Sequence, residues 1–502
     1  MTDSVPGPRF PRWLALPCLA AALFLAGCGP KPVHFPTESL TDAARAVGAA
    51  AAFDTDDDGE ADFFLYADDA GRQNRIGYDL DADAGPDQIV PLDAVRWPHC
   101  RHVVILLDGV AHDVARAHYE AGGLRMFHPP SKLVAPYPTM TDLAMEDLFG
   151  YMPALAYEAK FYNRRTDETA GGSGAYLAAR NEPYDRIIDW RSDLIMVPFF
   201  YLFPRAVFGK ELNDCKEAFD KGETHEMITY FGSTAGMGTR MGRAGQIESL
   251  EGIERMIRQM LHETRGLVKF TLASDHGHGY EPVRLLDFEE LLKPMGWRLT
   301  DRLRDPKDVV TVRFGLTTYA SFSTRKRAEL AADLVTINGV ELASHADGET
   351  VVVLAPGGGR AVIRRKDGRY AYEAVSGDPL GLKTILAKLG PGVDGYHDPN
   401  DLLPATVDHH WPAPLQRLWR AHFSLVENPP DVIASLADDV CTGSESFARF
   451  ITAESTHGSL NRLNSVAFIM STAGPLPPVL RSSDVPAAMR ELLDTPDWPV
   501  GR

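Results

Sequence analysis

Four short apolar segments constrain the fold of this chain more than any other feature of its sequence. They are Val103–Leu107, Met227–Phe231, Leu267–Ala273 and Val466–Met470. Continuous apolar strands belong to sheets that are covered on both faces. Between the second and third segments, apolar residues recur at helical spacing, at Ile247, Leu250, Ile253, Ile257 and Leu261. The sequence therefore predicts an α/β fold over residues 100–502, a three-layer sandwich with helices on both sides of a largely parallel central sheet.

Polar residues stand where two of these strands end. Asp108 follows the first strand, and Asp275 and His276 follow the third. In open α/β sheets, ligands collect at the carboxyl ends of the strands. Each residue alone has an ordinary explanation, because Asp-Gly is a common turn pair. Together, two carboxylates and an imidazole predict a centre for a divalent metal such as Zn²⁺ or Mn²⁺.

The order of several short motifs resembles a known family. The motifs are Asp108-Gly109, Pro138-Thr139-Met140-Thr141, Asp275-His276-Gly277, and His457-Gly458 before a strand that ends in Ala473-Gly474-Pro475. This order resembles the alkaline phosphatase superfamily, and most of all its nucleotide pyrophosphatase and type I phosphodiesterase branch. The resemblance covers roughly residues 100–300 and 400–480.

The resemblance implies an activity and a set of site residues. It implies a metal-dependent phosphohydrolase, a phosphodiesterase that acts on a phosphate-ester substrate through a covalent threonine intermediate. Thr141 would be the nucleophile, with Thr139 as a nearby alternative. Asp108, Thr141, Asp275 and His276 would hold one metal ion, and zinc would be the ion. A hydroxyl needs such activation because it is a poor nucleophile at its free pKa.

The sequence departs from the family where a second metal would bind. There the family has Asp-x-x-Gly-His-x-x-Gly, whereas this chain has Ala235 and Thr239 at the Asp and His positions. Of the three ligands of that second site only His457 remains, so the number of bound metal ions is expected to be one or two. The chain would work with one metal, or another side chain would replace the missing ligands, or catalysis would be lost while a phosphorylated ligand or an envelope partner is still bound. The candidate replacements are His225, His278 and Asp142.

An acidic segment over residues 51–95 predicts calcium loops. The chain carries a net charge of −18, and thirteen acidic residues against two arginines fall between Asp54 and Asp93. Oxygen ligands at alternate positions before a glycine suit a hard cation. The candidate ligands are Asp54, Asp56, Asp58 and Asp62, and a less regular form of the same spacing follows at Asp79, Asp81, Asp83 and Asp87. Leu65 at the twelfth position excludes an EF-hand. The alternative is a solvated acidic linker. Because the chain is acidic, a general nucleic-acid binder is not expected.

The amino terminus predicts export and a lipid anchor. Arg9 and Arg12 precede a 14-residue apolar run, Trp13–Ala26, which is too short to span a bilayer but suits a signal peptide. It ends in Leu25-Ala26-Gly27-Cys28, which resembles the lipobox of bacterial lipoproteins. We therefore predict a signal peptide over residues 1–28, lipid attachment at Cys28, a linker over 29–50, and a protein of the bacterial cell envelope that is bound to the membrane through its lipid and faces the periplasm or the exterior. The alternatives are a plain cleaved signal and a buried helix.

Residues 305–400 predict a β-rich insertion that caps the site. Short strand-like runs alternate there with tight turns, at Leu334–Ile337, Val351–Leu354, Ala361–Ile363 and Tyr370–Tyr372. The run Gly357–Gly359 is typical of a hairpin turn.

Overall fold

The computed structural model describes residues 33–172, 183–444 and 455–500. The predicted signal peptide, Cys28 and the first residues of the linker lie outside the described residues. Within the described ranges, no helix combines the length and the apolar character that crossing a membrane would need.

A seven-stranded sheet forms the centre of the molecule. In spatial order its strands are Val479–Arg481, Ser131–Val134, Val466–Ser471, Val268–Ser274, Arg101–Leu107, Glu226–Phe231 and Trp190–Arg191. The last four run parallel to one another, and Val466–Ser471 is antiparallel to both of its neighbours. All four strands predicted from apolar segments are present, and the predicted α/β class is confirmed.

Helices cover both faces of this sheet. Along the strand Arg101–Leu107, alternate side chains enter two different apolar cores, because successive residues of a strand point to opposite faces. One face packs against His112–Glu120, Pro204–Lys221 and Ser233–Glu263; the other packs against Thr141–Phe149 and Val485–Leu493. The three-layer arrangement follows directly from this alternation.

The helix Ser233–Glu263, here called the long helix, is the predicted crossover between the second and third strands. It begins two residues after the strand Glu226–Phe231. Gly242 interrupts it with φ of 59° and ψ of −143°, a conformation that only glycine adopts easily. The interruption separates a short first part, which lies at the carboxyl ends of the strands, from a longer part that packs across the sheet.

The acidic segment forms a four-stranded antiparallel sheet, here called the N-terminal sheet. Its strands are Ala51–Phe53, Phe63–Ala67, Gln73–Tyr78 and Gln88–Pro91. Phe53, Phe63 and Tyr78 belong to the same apolar core as the end of the long helix, and the Tyr78 hydroxyl donates a hydrogen bond of 2.9 Å to the His262 carbonyl. The segment is therefore packed onto the main body, because its strands are apolar on the inner face while its acidic residues occupy the turns.

A second sheet of eight strands contains the predicted insertion and extends beyond it. In spatial order its strands are Arg298–Leu299, Asp308–Thr311, Tyr319–Thr324, Val432–Leu436, Val340–Asp347, Thr350–Ala355, Gly359–Lys366 and Arg369–Ser376. The sheet passes the limit of residue 400 because Val432–Leu436 returns to pair between Tyr319–Thr324 and Val340–Asp347. The prediction of a strand at Leu334–Ile337 was wrong: Leu334 ends a helix and is buried against the sheet.

The remaining elements are short. Further helices are Thr41–Ala46, Val197–Leu202, Phe288–Leu292, Arg327–Leu334, Lys383–Leu389, Pro399–Thr406, Pro414–Phe423 and Arg462–Ser465. Short 3-10 helices are Leu92–Ala94, Pro183–Arg186, Leu194–Met196, Lys293–Met295, Pro356–Gly358 and Ser482–Asp484. Two small sheets comprise Lys160–Asn163 with Glu168–Gly171, and Arg284–Leu285 with Val440–Gly443 and Leu316–Thr317.

Candidate active site

The predicted site residues meet at one edge of the central sheet. Asp108 follows the strand Arg101–Leu107, and Asp275 follows the parallel strand Val268–Ser274. Leu107 and Ser274 are direct partners in the register, so the two aspartates leave the sheet side by side. The alignment is a consequence of parallel pairing, which brings the carboxyl ends of neighbouring strands to the same edge.

Three oxygen atoms surround the Nε2 atom of His276. The Thr141 hydroxyl and Asp275 Oδ2 each lie 3.4 Å from it, and Asp108 Oδ1 lies 3.6 Å from it. The other ring nitrogen, Nδ1, donates to the Gly277 carbonyl at 2.8 Å, which leaves the lone pair of Nε2 directed at the oxygens. Burial lowers the pKa of His276 to about 3, so the ring is neutral.

Each of the two carboxylates has one oxygen that accepts hydrogen bonds and one oxygen without a hydrogen-bond partner, here called an orphan oxygen. Tyr230 donates to Asp108 Oδ2 at 2.7 Å, and the Gly109 and His276 amides donate to Asp275 Oδ1 at 3.0 and 2.8 Å. Asp108 Oδ1 and Asp275 Oδ2 are buried without a hydrogen-bond partner among the described residues. An orphan of this kind costs about 1–3 kcal/mol. Burial and the neighbouring carboxylate raise the pKa of Asp108 well above its usual range, and burial raises the pKa of Asp275 to about 6.

This cluster fits a divalent cation. In a tetrahedral zinc site with bonds of about 2.0–2.1 Å, neighbouring ligand atoms lie about 3.3 Å apart. The separations of 3.4–3.6 Å around His276 Nε2 are close to that value. The donor set of carboxylate, imidazole and hydroxyl is also one that such ions accept. The orphan oxygens therefore point to a site for a positive charge.

His457 lies directly against this cluster. Its ring stacks on that of His276 with centroids 3.9 Å apart, and Asp108, His276 and His457 each offer a ligand atom within 4.8 Å of the others. The His457 Nδ1 atom donates to the Thr139 carbonyl at 2.8 Å, which leaves Nε2 available as a ligand. The resemblance had assigned His457 to a separate second site, whereas the structure groups it with the residues of the first.

The two candidate nucleophiles occupy different environments. Thr139 is fully buried, and its hydroxyl accepts a hydrogen bond from the Gly458 amide at 2.9 Å and donates to the Ser459 carbonyl at 3.4 Å. Thr141 is the first residue of the helix Thr141–Phe149 and faces His276. The positive end of a helix favours negative charge that develops there. The geometry therefore favours Thr141 and gives Thr139 the task of holding the loop of His457.

The positions of the missing second metal ligands hold a hydrogen-bonded group. Ala235 is buried, and the Thr239 hydroxyl lies 3.3 Å from His278 Nε2. His278 Nδ1 is in turn 2.8 Å from the Gly279 carbonyl and 3.1 Å from the Ser455 hydroxyl. Its ring centroid is 5.8 Å from that of His457. Among the described residues, no group of three close ligating side chains includes His278.

The other two candidate replacements are engaged elsewhere. His225 precedes the strand Glu226–Phe231, at the opposite end of the sheet, and its ring lies 4.2 Å from that of Trp97. Asp142 accepts a hydrogen bond of 2.7 Å from the Tyr184 hydroxyl. Of the three candidates, His278 is the one that contacts Thr239.

Several residues that no sequence motif marks hold Asp108 in place. Besides Tyr230, the Thr234 hydroxyl accepts a hydrogen bond from the Asp108 amide, and Gln246 donates to the Gly109 carbonyl at 2.6 Å. Tyr230 occupies a strand and the other two occupy the long helix. Nothing in the sequence marked them, since a polar residue in an amphipathic segment has no distinctive spacing.

The acidic turns of the N-terminal sheet form two further clusters. Asp54, Asp56 and Asp58 offer oxygens within 4.8 Å of one another, and so do Asp79, Asp81 and Asp87. The two clusters occupy adjacent turns, because the Asp79 amide donates to the Asp62 carbonyl at 3.0 Å. The Asp62 carboxylate accepts from the Thr55 amide at 3.0 Å and stands outside the first cluster, to which the sequence had assigned it. Neighbouring carboxylates raise the pKa of Asp81.

Comparison with known proteins finds likeness in structure alone. No family profile and no curated protein sequence matches the chain. The chain is similar to murine ectonucleotide pyrophosphatase / phosphodiesterase 5, with 10% identity and a TM-score of 0.43 over 80% of this chain and 96% of that chain. It is also similar to phosphonoacetate hydrolase from Sinorhizobium meliloti 1021, solved in complex with phosphonoformate, with 11% identity and a TM-score of 0.42 over 81% and 97%.

Proposed function

We propose that this chain is a metal-dependent phosphohydrolase, specifically a phosphodiesterase that uses Thr141 as its nucleophile. The observation that carries the proposal is the cluster of the Thr141 hydroxyl and the orphan oxygens of Asp108 and Asp275 around His276 Nε2. A hydroxyl beside a neutral imidazole and two buried carboxylates, each with one oxygen that lacks a hydrogen bond, is an arrangement for nucleophilic chemistry that needs a cation.

The residues have distinct tasks in this proposal. Asp108, Asp275, His276 and Thr141 would hold the cation, which supplies a positive charge that lowers the pKa of the hydroxyl. The Thr141 oxygen forms a bond to phosphorus while the bond from phosphorus to the leaving oxygen breaks, and the leaving group departs as an alcohol once it is protonated. Water then cleaves the bond between phosphorus and Thr141 and regenerates the hydroxyl. Tyr230 keeps Asp108 oriented throughout through its hydrogen bond to Oδ2.

We propose that each chain binds one zinc ion. A ligand set of carboxylate and imidazole suits zinc. At the second position Ala235 offers no ligand atom, and the Thr239 hydroxyl is within hydrogen-bonding distance of His278. A neutral hydroxyl and an isolated imidazole hold a divalent ion poorly against water. His457, stacked on His276, would complete the single site.

Calcium is the proposed ion of the acidic turns. The clusters of Asp54, Asp56 and Asp58 and of Asp79, Asp81 and Asp87 offer only oxygen ligands, which a hard cation prefers. The turns join strands that pack on the main body, so an ion there would be structural. It would relieve the repulsion that raises the pKa of Asp81.

The proposed location is the bacterial cell envelope. The lipobox-like ending at Cys28 supports a lipid anchor, and the apolar run before it supports export to the periplasm or the exterior.

A second candidate function is favoured by the altered residues at the second position. With Ala235 and Thr239 where the related pattern has Asp and His, the chain would bind a phosphorylated ligand or an envelope partner without turning it over. The first part of the long helix would then serve binding alone.

The test compares hydrolysis by three forms of the protein. Wild type, Thr141→Ala and Thr141→Ser are assayed on bis-para-nitrophenyl phosphate and para-nitrophenyl phosphate with Zn²⁺, Mn²⁺, Mg²⁺ or Ca²⁺. We expect Thr141→Ala to lose at least about a thousandfold in rate, while Thr141→Ser keeps a hydroxyl and retains measurable turnover. If wild type and Thr141→Ala are equally inert with every ion, the phosphodiesterase proposal is wrong, and phosphate binding by the inert protein would support the second candidate.

A further inference from the structure

An apolar segment stands on the surface beside the candidate active site. Residues 194–203 read Leu-Ile-Met-Val-Pro-Phe-Phe-Tyr-Leu-Phe, ten positions without a charged side chain. They form the 3-10 helix Leu194–Met196 and the helix Val197–Leu202, and of the ten only Phe200 is buried. Ile195 is 69% exposed, Leu202 41% and Phe203 43%. Water-facing apolar side chains in such a concentration mark a surface that meets something else.

The segment is held firmly on the first part of the long helix. Phe200 packs against Gly232 and Gly236 so closely that a Cβ atom on Gly236 would lie 2.0 Å from the Phe200 carbonyl oxygen. The same turn of helix carries Thr234, whose hydroxyl bonds the backbone of Asp108. Phe200 and Asp108 therefore contact the same turn of the long helix, which places the apolar segment beside the candidate active site.

The position of the amino-terminal tether indicates what covers this surface. The Val33 amide donates to Asn213 at 3.0 Å and the His34 amide donates to Gln259 at 2.9 Å, so the chain is fixed to the helix Pro204–Lys221 and to the long helix. Only five peptide units separate Val33 from Cys28, a span of at most about 17 Å. A lipid on Cys28 would keep the bilayer within that distance of Val33.

The tether and the apolar segment share one helix. Phe203 directly precedes the helix Pro204–Lys221, and Asn213 lies ten residues further on, about 15 Å along the helix axis. A bilayer that is held near Asn213 is therefore within reach of the segment. Phe, Leu and Ile side chains are those that enter the boundary between headgroups and acyl chains.

We propose that residues 194–203 dock onto a lipid bilayer and, together with the lipid anchor, hold the candidate active site at the membrane surface. The inference rests on the proposed function for one point, the lipid on Cys28, and is independent of catalysis. The lipid would hold the chain at the bilayer, and the exposed apolar segment adds a second contact at the boundary between headgroups and acyl chains.

The test places a fluorophore on the segment. The full lipidated chain carrying Ile195→Cys is labelled with an environment-sensitive dye and reconstituted into phosphatidylcholine vesicles with or without doxyl-labelled lipid. Cys100, Cys215 and Cys441 are buried, so the introduced thiol is the one that reacts in the described part of the chain. Val375→Cys, at a position 52% exposed on the second sheet, is the matched control.

We expect the emission from position 195 to shift to shorter wavelength on vesicles and to be quenched by the doxyl lipid, with neither change at position 375. The further substitution Leu202→Asp should reduce both changes at position 195 while the circular dichroism spectrum stays the same. Equal responses at 195 and 375 in floating vesicles would overturn the docking proposal and leave the anchor standing. Failure of the protein to float with the vesicles would overturn both the docking proposal and the lipid anchor. A shift of the emission in the absence of vesicles would also overturn docking, because it would assign the surface to a second copy of the chain.

Discussion

Replacing Asp275 by asparagine should stabilise the metal-free protein while destroying its metal site. The change keeps the shape of the side chain and an acceptor for the Gly109 and His276 amides, but it removes one of two buried carboxylates. Burial raises the pKa of Asp275 from 3.8 to about 6. A shift of about two units corresponds to about 3 kcal/mol.

The sign of the pH dependence follows from which state binds the proton more tightly. Between about pH 4 and pH 6 the folded metal-free protein retains a proton at Asp275 that the unfolded chain has lost, so the free energy of unfolding falls as the pH rises through this range. Above about pH 6 this decrease in the free energy of unfolding is complete, and it no longer changes with pH. Asp275→Asn has no such loss, so its advantage over wild type should be absent near pH 4 and full at pH 8.

Calorimetry on the metal-free protein measures this advantage. An unfolding entropy of about 2.1 cal/mol/K per residue gives about 1 kcal/mol/K for a chain of this length, so 3 kcal/mol corresponds to about 3 °C in Tm. In EDTA at pH 8 the variant should melt about 3 °C above wild type. Zinc at a thousand times its Kd should add about 4 kcal/mol of stability to wild type and nothing to the variant.

The exposed Glu223→Gln serves as the control for loss of a negative charge, and it should melt with wild type in both conditions. A variant that melts below wild type in EDTA at pH 8 would refute the reasoning, because it would mean that Asp275 stabilises the fold. A variant with an undiminished response to zinc would refute the assignment of Asp275 as a ligand.

Zinc content, zinc affinity and calcium binding each allow a further test. Wild type should carry one zinc per chain by elemental analysis, and Ala235→Asp combined with Thr239→His should raise the content to two; two ions in wild type would contradict the single-site proposal. Tyr230→Phe removes the donor to Asp108 Oδ2 and should weaken zinc binding about 10- to 100-fold in competition with a chromophoric chelator; Tyr372→Phe, in the second sheet, should leave it unchanged. Asp56→Asn should weaken the calcium-dependent rise in Tm, whereas Asp69→Asn, an exposed carboxylate outside the cluster, should not; equal responses would argue against calcium in the first turn.

The central sheet and the site could be predicted because their signals are local. A fully apolar strand is buried on both faces of its sheet. When Asp108 or Asp275 directly follows such a strand, its carboxylate lies at the edge of the sheet. Parallel pairing then brings the two ends together without further information. The order of the short motifs predicted Thr141 as the neighbour of His276, and the two lie within 3.4 Å.

Other features depend on contacts that no local pattern records. The return of Val432–Leu436 into the second sheet joins segments far apart in the chain, so no pattern within residues 305–400 could predict it. Leu334–Ile337 carries the β-branched residues typical of a strand, yet Leu334 completes a helix whose apolar side packs on the sheet. The hydrogen bond between Thr239 and His278 likewise required the fold, because the two residues lie on different elements.

The packing of the N-terminal sheet determines where this chain can be shortened. Phe53, Phe63 and Tyr78 cover the end of the long helix near His262, so a chain that begins after residue 95 would expose that apolar surface to water. Exposed surface of this kind favours aggregation. An expression boundary drawn from motif coverage alone, at about residue 100, would thus cut through this shared apolar core, and an expressed form that keeps the core intact should start at or before Val33.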